Sequence, residues 1–489
     1  WQTALENVSA KLQAIVEHFG GDDIGALASP TSTLEEFALL EKIMRGLGSQ
    51  NMDYRLRQQD FRAEDGMSAP LLADSIASLE QAALVLLIGS NIRKEQPSLA
   101  TRLRRSVSNG NRVMAMNPAN FDFAFPMAGN IVASPSQLVA MLARLVVQLA
   151  NKKGASIDDA ITELAAECKL SDDIKSMADA LIEAGDSAQI IVGTMAQMDP
   201  NYSVLVSLAS VLGNLTGAKN GRLEEGNAVA AWQASFLPTV KARNASTMLD
   251  KTVNEALKAL LLFNIEPSQD SLTGNLALST LRETGMVVSI SNFRSAEIED
   301  VAHVMLPLAA MFETDGTHVN CEGKIQSWRA AVKPAGDSRP GWKILRVLGN
   351  YLALDGFDYT SAESIRSETT AIVKTNDSSG VFSPVGIEKG LFERITTLPL
   401  YRTDALTRRS VPLQQTLDNP QASAALHPET LNSIGIEAGR IEVGNADNKI
   451  EINVKADPSI PLNCIMLPTA TEETAALGDM NWLEVKTCA

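Results

Sequence analysis

Residues 306–330 read Leu-Pro-Leu-Ala-Ala-Met-Phe-Glu-Thr-Asp-Gly-Thr-His-Val-Asn-Cys-Glu-Gly-Lys-Ile-Gln-Ser-Trp-Arg-Ala. An apolar run stops at Pro307, a short helix-compatible stretch follows, and two turn signals come next, Asp315-Gly316 and Glu322-Gly323. Thr317 to Asn320 and Lys324 to Trp328 are extended in type. Asp-Gly between such segments is a strong hairpin signal, because Gly takes positive φ without steric cost. The spacing predicts a compact two-turn ribbon, dense in Glu, Asp, Thr, Asn and Gln. Such a ribbon frames a polar site or clasps a larger body, and from these residues alone the plainest reading is a surface ribbon.

The rest of the chain bounds what the ribbon belongs to. A length of 489 residues allows two to four domains. Hydrophobic residues make up 45% and charged residues 20%, an ordinary globular composition. The net charge of −16 argues against a nucleic-acid partner and against an anionic membrane surface. No window approaches the ~18 uninterrupted apolar residues of a spanning helix. Cys168, Cys321, Cys464 and Cys488 are scattered, so no Cys-x-x-Cys metal motif exists and reduced thiols are expected. His18, His303, His318 and His427 are far apart in sequence.

Strand and helix signals alternate through most of the chain, which predicts an α/β class. Ile24 to Ser29 reads as a buried strand, and Ser32 with Glu35, or Thr33 with Glu36, offers a capping box for a helix to Arg45. Leu84 to Ile88 is an apolar strand followed by Gly89-Ser90-Asn91, a helix from Pro97 to Arg105, and a second strand from Arg112 to Met116. That is a βαβ unit, and loops at the carboxyl ends of such strands are where open sheets bind ligands. Ala259 to Ser268 echoes Leu84 to Lys94, so two similar α/β domains are expected. Residues 355–385, including Asn376-Asp377-Ser378-Ser379-Gly380, read as a linker. Alternation from Lys449 to Val454 and the run Pro461 to Pro468 predict a small β-rich domain. Arg408-Arg409 reads as a solvated basic pair. Glu313, Asp315 and Glu322 suit a ribbon of turns, and no acid–base or nucleophile constellation stands out. Neither a phosphate-cradling Gly-Lys-[Ser/Thr] nor a dinucleotide glycine fingerprint is present.

The ribbon also carries a resemblance. Glu313, Gly316, Thr317, Asn320, Glu322, Gly323, Lys324 and Gln326, preceded by Ala302 to Pro307 and followed by Lys333 to Leu345, resemble the signature of the molybdopterin oxidoreductase superfamily. Tyr401 to Thr416 is similar to the family of the large iron–sulfur subunit of bacterial NADH-quinone oxidoreductase (respiratory complex I), a non-catalytic relative of the molybdoenzymes. The resemblance implies two interleaved doubly wound parallel-sheet domains and a small C-terminal β-rich, barrel-like domain. It places one discontinuous α/β domain at 1–57 and 172–355, an inserted Rossmann-like domain at 58–171, a linker at 356–400 and the β-rich domain at 401–489.

The same resemblance points to site positions. Gly48 to Asp53 resembles the segment before the molybdenum-ligand loop, and the ligand's place falls near Gln59, an amide and a poor ligand; Asp60 follows it. Gly89, Ser90 and Asn91 match residues that approach a pterin nucleotide. Ile131 to Ser136 stands where a Pro-Gly-Thr-Asp would hold its guanine end. Asn227 matches a cofactor-channel asparagine, but Ala230-Ala231 replaces Gly-Ala. Gly89, Ser90, Asn91 and Asn227 are therefore expected as vestigial cofactor-site positions, with no catalytic residue and no metal ligand. The expected function is a catalytically degenerate scaffold in the peripheral arm of an NADH:quinone oxidoreductase. This part would bind no cofactor, with molybdopterin unexpected. The chain opens Trp1-Gln2-Thr3-Ala4-Leu5, and the iron–sulfur clusters would lie in a missing part upstream. Expected partners are the other peripheral-arm subunits, with no nucleic acid and no direct membrane insertion. The expected location is cytoplasmic, peripheral to the inner (plasma) membrane through the complex. The alternatives are an active molybdenum/pterin oxidoreductase using Asp60 or another ligand, and a nucleotide-binding α/β module using Gly89 to Asn91.

Overall fold

The computed structural model describes every residue except 370, 373–379, 381, 382, 389, 437, 438 and 489. The chain divides into two compact units. One comprises Trp1–Arg57, Glu225–Val373 and Tyr401–Asn419, and the other Gln58–Glu224, Lys374–Leu400 and Pro420–Ala489.

The first unit holds a five-stranded parallel sheet in the order Val304–Pro307, Met286–Ser291, Ala259–Phe263, Ile24–Ala28, Asn51–Asp53. Ile24–Ala28 and Ala259–Phe263 are buried at every position. Continuous apolar runs are what a parallel strand covered on both faces requires. After the first strand, Thr33 caps the helix Leu34–Gly46. Its hydroxyl accepts the Glu36 N–H at 3.2 Å, and the Glu36 carboxylate accepts the Thr33 N–H at 2.9 Å, so the second of the two capping boxes is the one formed. The helices Gln2–Phe19 and Leu34–Gly46 both pack against Gly341–Tyr351.

The ribbon is a two-stranded antiparallel hairpin of Gly316–Val319 and Ile325–Trp328. Only its second turn signal is a turn: Gly323 has φ 79°, and Gly316 is already in the strand. A Cβ at Gly316 would stand 2.5 Å from Thr33 Cγ2 and 2.7 Å from the Trp328 ring. Close approach to the capping residue, and not backbone conformation, is what demands glycine there.

The second unit holds another parallel sheet, ordered Gly129–Val132, Arg112–Asn117, Leu84–Ile88, Ala188–Val192, Lys219–Arg222. Leu86, Ile88, Val146, Leu149, Ile190 and Leu208 belong to its core. The same unit contains a closed six-stranded barrel: Phe392–Thr397, Cys464–Pro468, Ser423–Leu426, Lys449–Ala456, Gly439–Gly444 and Trp482–Thr487. Leu426, Ile441, Ile452, Ile465 and Leu467 fill it. The architecture is thus the expected α/β class, with two parallel sheets and a C-terminal barrel.

The division of the chain differs from the sequence reading in three places. Ala188–Val192 and Lys219–Arg222 extend the inserted sheet, which the sequence division closed at 171. A parallel strand buried on both faces carries no mark of which sheet it joins. Phe392–Thr397, inside the expected linker, is a barrel strand, pairing parallel with Cys464–Pro468. Residues 401–419, assigned to the β-rich domain, belong to the first unit. Asn376 to Ser379 of the expected linker lie outside the described residues. Among the described residues no helix is long and apolar enough to cross a membrane.

Replacing Gly316 by Val should lower stability by about 1–3 kcal/mol through overpacking. A lowered urea midpoint with unchanged secondary structure would report it.

Candidate functional site

In the second unit, strand order reverses between Leu84–Ile88 and Ala188–Val192, because the chain leaves the first toward Arg112–Asn117 and the second toward Lys219–Arg222. Such a switch point is where an open sheet forms its ligand crevice. Gly89, Ser90 and Asn91 lie there, and a carboxylate that sequence reasoning missed organises them. Glu95 accepts the Asn91 N–H at 2.9 Å, the Ser90 hydroxyl at 2.8 Å and, from the other strand's loop, the Thr194 N–H at 3.3 Å. The Ser90 N–H goes to Asn117 Oδ1 at 2.7 Å, and Asn117 Nδ2 donates to the Ser90 carbonyl at 3.0 Å. Burial pushes the Glu95 carboxyl up, against the lowering effect of these donors. A Cβ at Gly89, where φ is 55°, would lie 2.7 Å from Ala196 Cβ, and one at Gly193 would lie 2.3 Å from Ser90 Cβ. Neighbouring protein atoms therefore fill the space that the two glycines leave.

The expected metal-ligand place packs on the same loop. Gln59 N–H donates to the Gln197 carbonyl at 3.2 Å, and its Nε2 donates to the Asp479 carbonyl at 2.7 Å. Gln197 Nε2 in turn reaches Gln58 Oε1 at 3.4 Å. Both Asp60 oxygens are engaged: Oδ1 accepts from Arg62 N and Nε at 3.0 and 2.8 Å, and Oδ2 from Arg62 Nη2 and Ser203 N at 2.8 and 2.9 Å. Burial opposes the charge, but the Arg62 fork holds this carboxyl below its usual range. Asp199 behaves in the opposite way. Burial, opposed by the Asn201 N–H and reinforced by Glu393 and Asp60, pushes its carboxyl up to about 7. Among the described residues no group of three His, Cys, Asp or Glu side chains could hold a metal ion, and the four cysteines are free thiols.

A second missed carboxylate lies where the guanine-end motif was sought. Ser134 caps the 19-residue helix Pro135–Lys153, and Glu393, on a barrel strand, accepts the Ser136 N–H at 2.7 Å and the Ser136 hydroxyl at 2.8 Å. Burial raises the Glu393 carboxyl. The same unit has a cavity of about 420 Å³ along Lys219–Arg222, and none of the crevice residues lines it.

Asn227 belongs to the first unit, where its side chain is fully used. Nδ2 donates to the Ser32 carbonyl at 2.9 Å and the Thr317 carbonyl at 3.1 Å, and Oδ1 accepts the Val319 N–H at 2.7 Å. Its own N–H reaches the Pro30 carbonyl at 2.6 Å. The asparagine thereby stitches the loop after Ile24–Ala28 to the ribbon. The four expected cofactor positions are thus three neighbours in one unit and a buried structural bridge in the other.

The loop after Ala259–Phe263 in the first unit holds a charged cluster that overturns the reading of Arg408-Arg409 as solvated. The Arg408 side chain is only 5% exposed and pairs with Glu266 at 2.9 Å and Asp270 at 2.8 Å. Arg409 pairs with Glu266 at 2.5 Å and stands 4.6 Å over the Phe293 ring. Arg57 joins Glu225 at 2.6 Å, Asp270 at 3.3 Å and the Thr403 carbonyl at 3.1 Å. Burial works against the Glu266 charge, yet Arg409 and Arg408 hold its carboxyl low. Nearby Glu297 has its carboxyl pushed up to about 7 by burial, against the pull of the Ser268 hydroxyl. Partners more than 130 residues away in sequence left no local signal for this burial.

Known proteins share this architecture. A family model described as Molybdopterin oxidoreductase matches residues 1–351. The chain is 22% identical over 544 residues to the NADPH-Fe(3+) oxidoreductase subunit alpha of Geobacter sulfurreducens, covering 96% of this chain and 64% of that protein. It is 26% identical over 343 residues to an NADH-quinone oxidoreductase subunit of Mycobacterium bovis, covering 63% of this chain and 39% of that protein. It is 21% identical over 579 residues to the F420-dependent formate dehydrogenase 1 subunit alpha of Methanococcus maripaludis, covering 97% and 85%. The first two relatives are therefore matched over less than two thirds of their own length. Acetylene hydratase from Pelobacter acetylenicus has the same fold, with a TM-score of 0.70 at 14% identity over 100% of this chain and 89% of that one.

Two outcomes are expected from these side chains. Arg408→Ala should cost about 3–5 kcal/mol, since removing one partner leaves buried carboxylates unpaired; the denaturation midpoint reads it. Folded Asp199 keeps its proton up to about pH 7, whereas an unfolded Asp releases it near 4. The folded state binds more protons between these values, so this group lowers stability as pH rises. Asp199→Asn should gain thermal stability relative to the parent between pH 5 and pH 8, and a constant difference in Tm would contradict the assignment.

Proposed function

This chain belongs to the molybdopterin oxidoreductase family, and we propose that within it the chain is a catalytically degenerate scaffold of an NADH:quinone oxidoreductase. Electron transfer from NADH to quinone would be carried by iron–sulfur clusters in another part of that assembly. The partners are the other peripheral-arm subunits, and the place is the cytoplasmic face of the membrane that carries the complex. The observation that carries the reading is the state of the ligand position. Gln59 offers an amide whose NH₂ is already given to the Asp479 carbonyl, and the adjacent Asp60 is held at both oxygens by Arg62 and Ser203. A metal that favours soft thiolate finds neither a thiolate nor a free carboxylate there. The residues at the ligand position therefore do not suit the pterin cofactor. Alignment with the NADH-quinone oxidoreductase subunit of Mycobacterium bovis supports the complex.

A second reading, an active molybdenum/pterin oxidoreductase, is favoured by the alignment with a formate dehydrogenase subunit along 97% of the chain. Elemental analysis separates the two. The chain purified from a host supplied with molybdate and tungstate should contain far less than one metal atom of either kind per chain. One molybdenum per chain with a bound pterin would establish the second reading at the expense of the first.

A further inference from the structure

In an open parallel sheet, the crevice outside the strand ends at the switch point is where an anionic ligand is received, because the loops there turn backbone N–H groups toward one place. In the second unit those groups already have acceptors. We infer that the carboxyl edge of this sheet is closed to nucleotide phosphates, because Glu95 and Glu393 of the chain itself hold the places that phosphates would take.

Three observations carry the inference. Glu95 draws on both loops that flank the reversal, taking Asn91 N–H and Ser90 Oγ from one and Thr194 N–H from the other. A carboxylate that merely capped its own helix would take donors from one side only. Next, a glycine that cradles phosphate must leave its Cβ space empty for the ligand. At Gly89 and Gly193 that space is taken by Ala196 and Ser90. The one buried polar side-chain atom of the two turns without a partner, among the described residues, is Asn91 Oδ1, an acceptor. Finally, the loop after the edge strand Gly129–Val132 is treated in the same way. Glu393 reaches Ser136 across 257 residues of sequence and takes both its N–H and its hydroxyl. Two separate turns on one sheet edge each have their donors taken by a glutamate of the chain, so a phosphate entering either finds them occupied.

The inference deepens the scaffold reading, yet the two fail separately. Molybdenum without a guanosine nucleotide would remove the scaffold reading alone, and nucleotide binding without metal would remove the closed edge alone. The test is calorimetric titration of the full chain with inorganic pyrophosphate and with GDP. The parent chain should show no saturable binding of either. Glu95→Ala and Glu393→Ala should each show saturable pyrophosphate binding where the parent shows none. Saturable binding by the parent would overturn the inference, and so would variants that bind no better than it. Should Glu95→Ala fail to fold, Glu393→Ala and the parent titration still decide both points.

Discussion

A loop that leaves the carboxyl end of a parallel strand carries backbone N–H groups with no strand to receive them, and buried donors of this kind must find an acceptor. Ligands are one solution. At several strand ends this molecule uses its own side chains. Thr33 and Glu36 satisfy each other at the end of the first strand, and Glu95 serves two loops at the reversal of the second sheet. Glu393 reaches the helix that follows the edge strand, and Asp270 receives the Glu266 N–H after Ala259–Phe263. The glycines at these loops are accordingly packed against protein, as Gly89 is against Ala196.

The charged residues follow from the same demand. Once Asp270 and Glu266 are buried at a strand end, their charge needs a partner, and Arg408 supplies a fork that fits both. A buried pair of this kind gains little net stability over apolar packing, because desolvation offsets most of the attraction. What it fixes is position. Arg57, which shares Asp270 Oδ1 with Arg408, holds the Thr403 carbonyl as well, so residues 401–419 have one register on the first unit. Asp199, Glu297 and Glu36, which form no ion pair among the described residues, are pushed up to about 7.

The fold was largely legible because its signals are local. Apolar five-residue runs ending in glycine or asparagine mark parallel strands, and the alternation at Ile450, Ile452 and Val454 marks a barrel strand. The capping box needed a choice between two overlapping frames, which the hydrogen bonds decide in favour of Thr33. Sheet membership was not legible: Ala188–Val192 joins Leu84–Ile88 through contacts a hundred residues apart that leave no periodic mark. The site was legible as positions and illegible as contacts. Gly89, Ser90 and Asn91 stand where a strand-end loop was expected, but Glu95 reads in sequence as one more polar residue of a loop. Nothing near Ser136 announces that its partner lies on a barrel strand. The roles of Gly316 and Arg408 were misread for the same reason, since each is set by a neighbour far away in sequence.

The barrel imposes an order in time. Its strands run from Phe392 to Thr487, and it closes only when Phe392–Thr397 meets both Cys464–Pro468 and Trp482–Thr487. Contacts at such separation form late, because the entropy of the intervening chain is lost before they repay it. Glu95 lies four residues from Asn91 and is present as soon as its own loop emerges during synthesis. Glu393 arrives hundreds of residues after Ser136, so for that interval the first turn of the helix Pro135–Lys153 is served by water. The sheet of the second unit therefore has one loop that Glu95 begins to satisfy locally, and an edge that must wait for the last hundred residues. Chaperones and proteases would meet that edge unfinished.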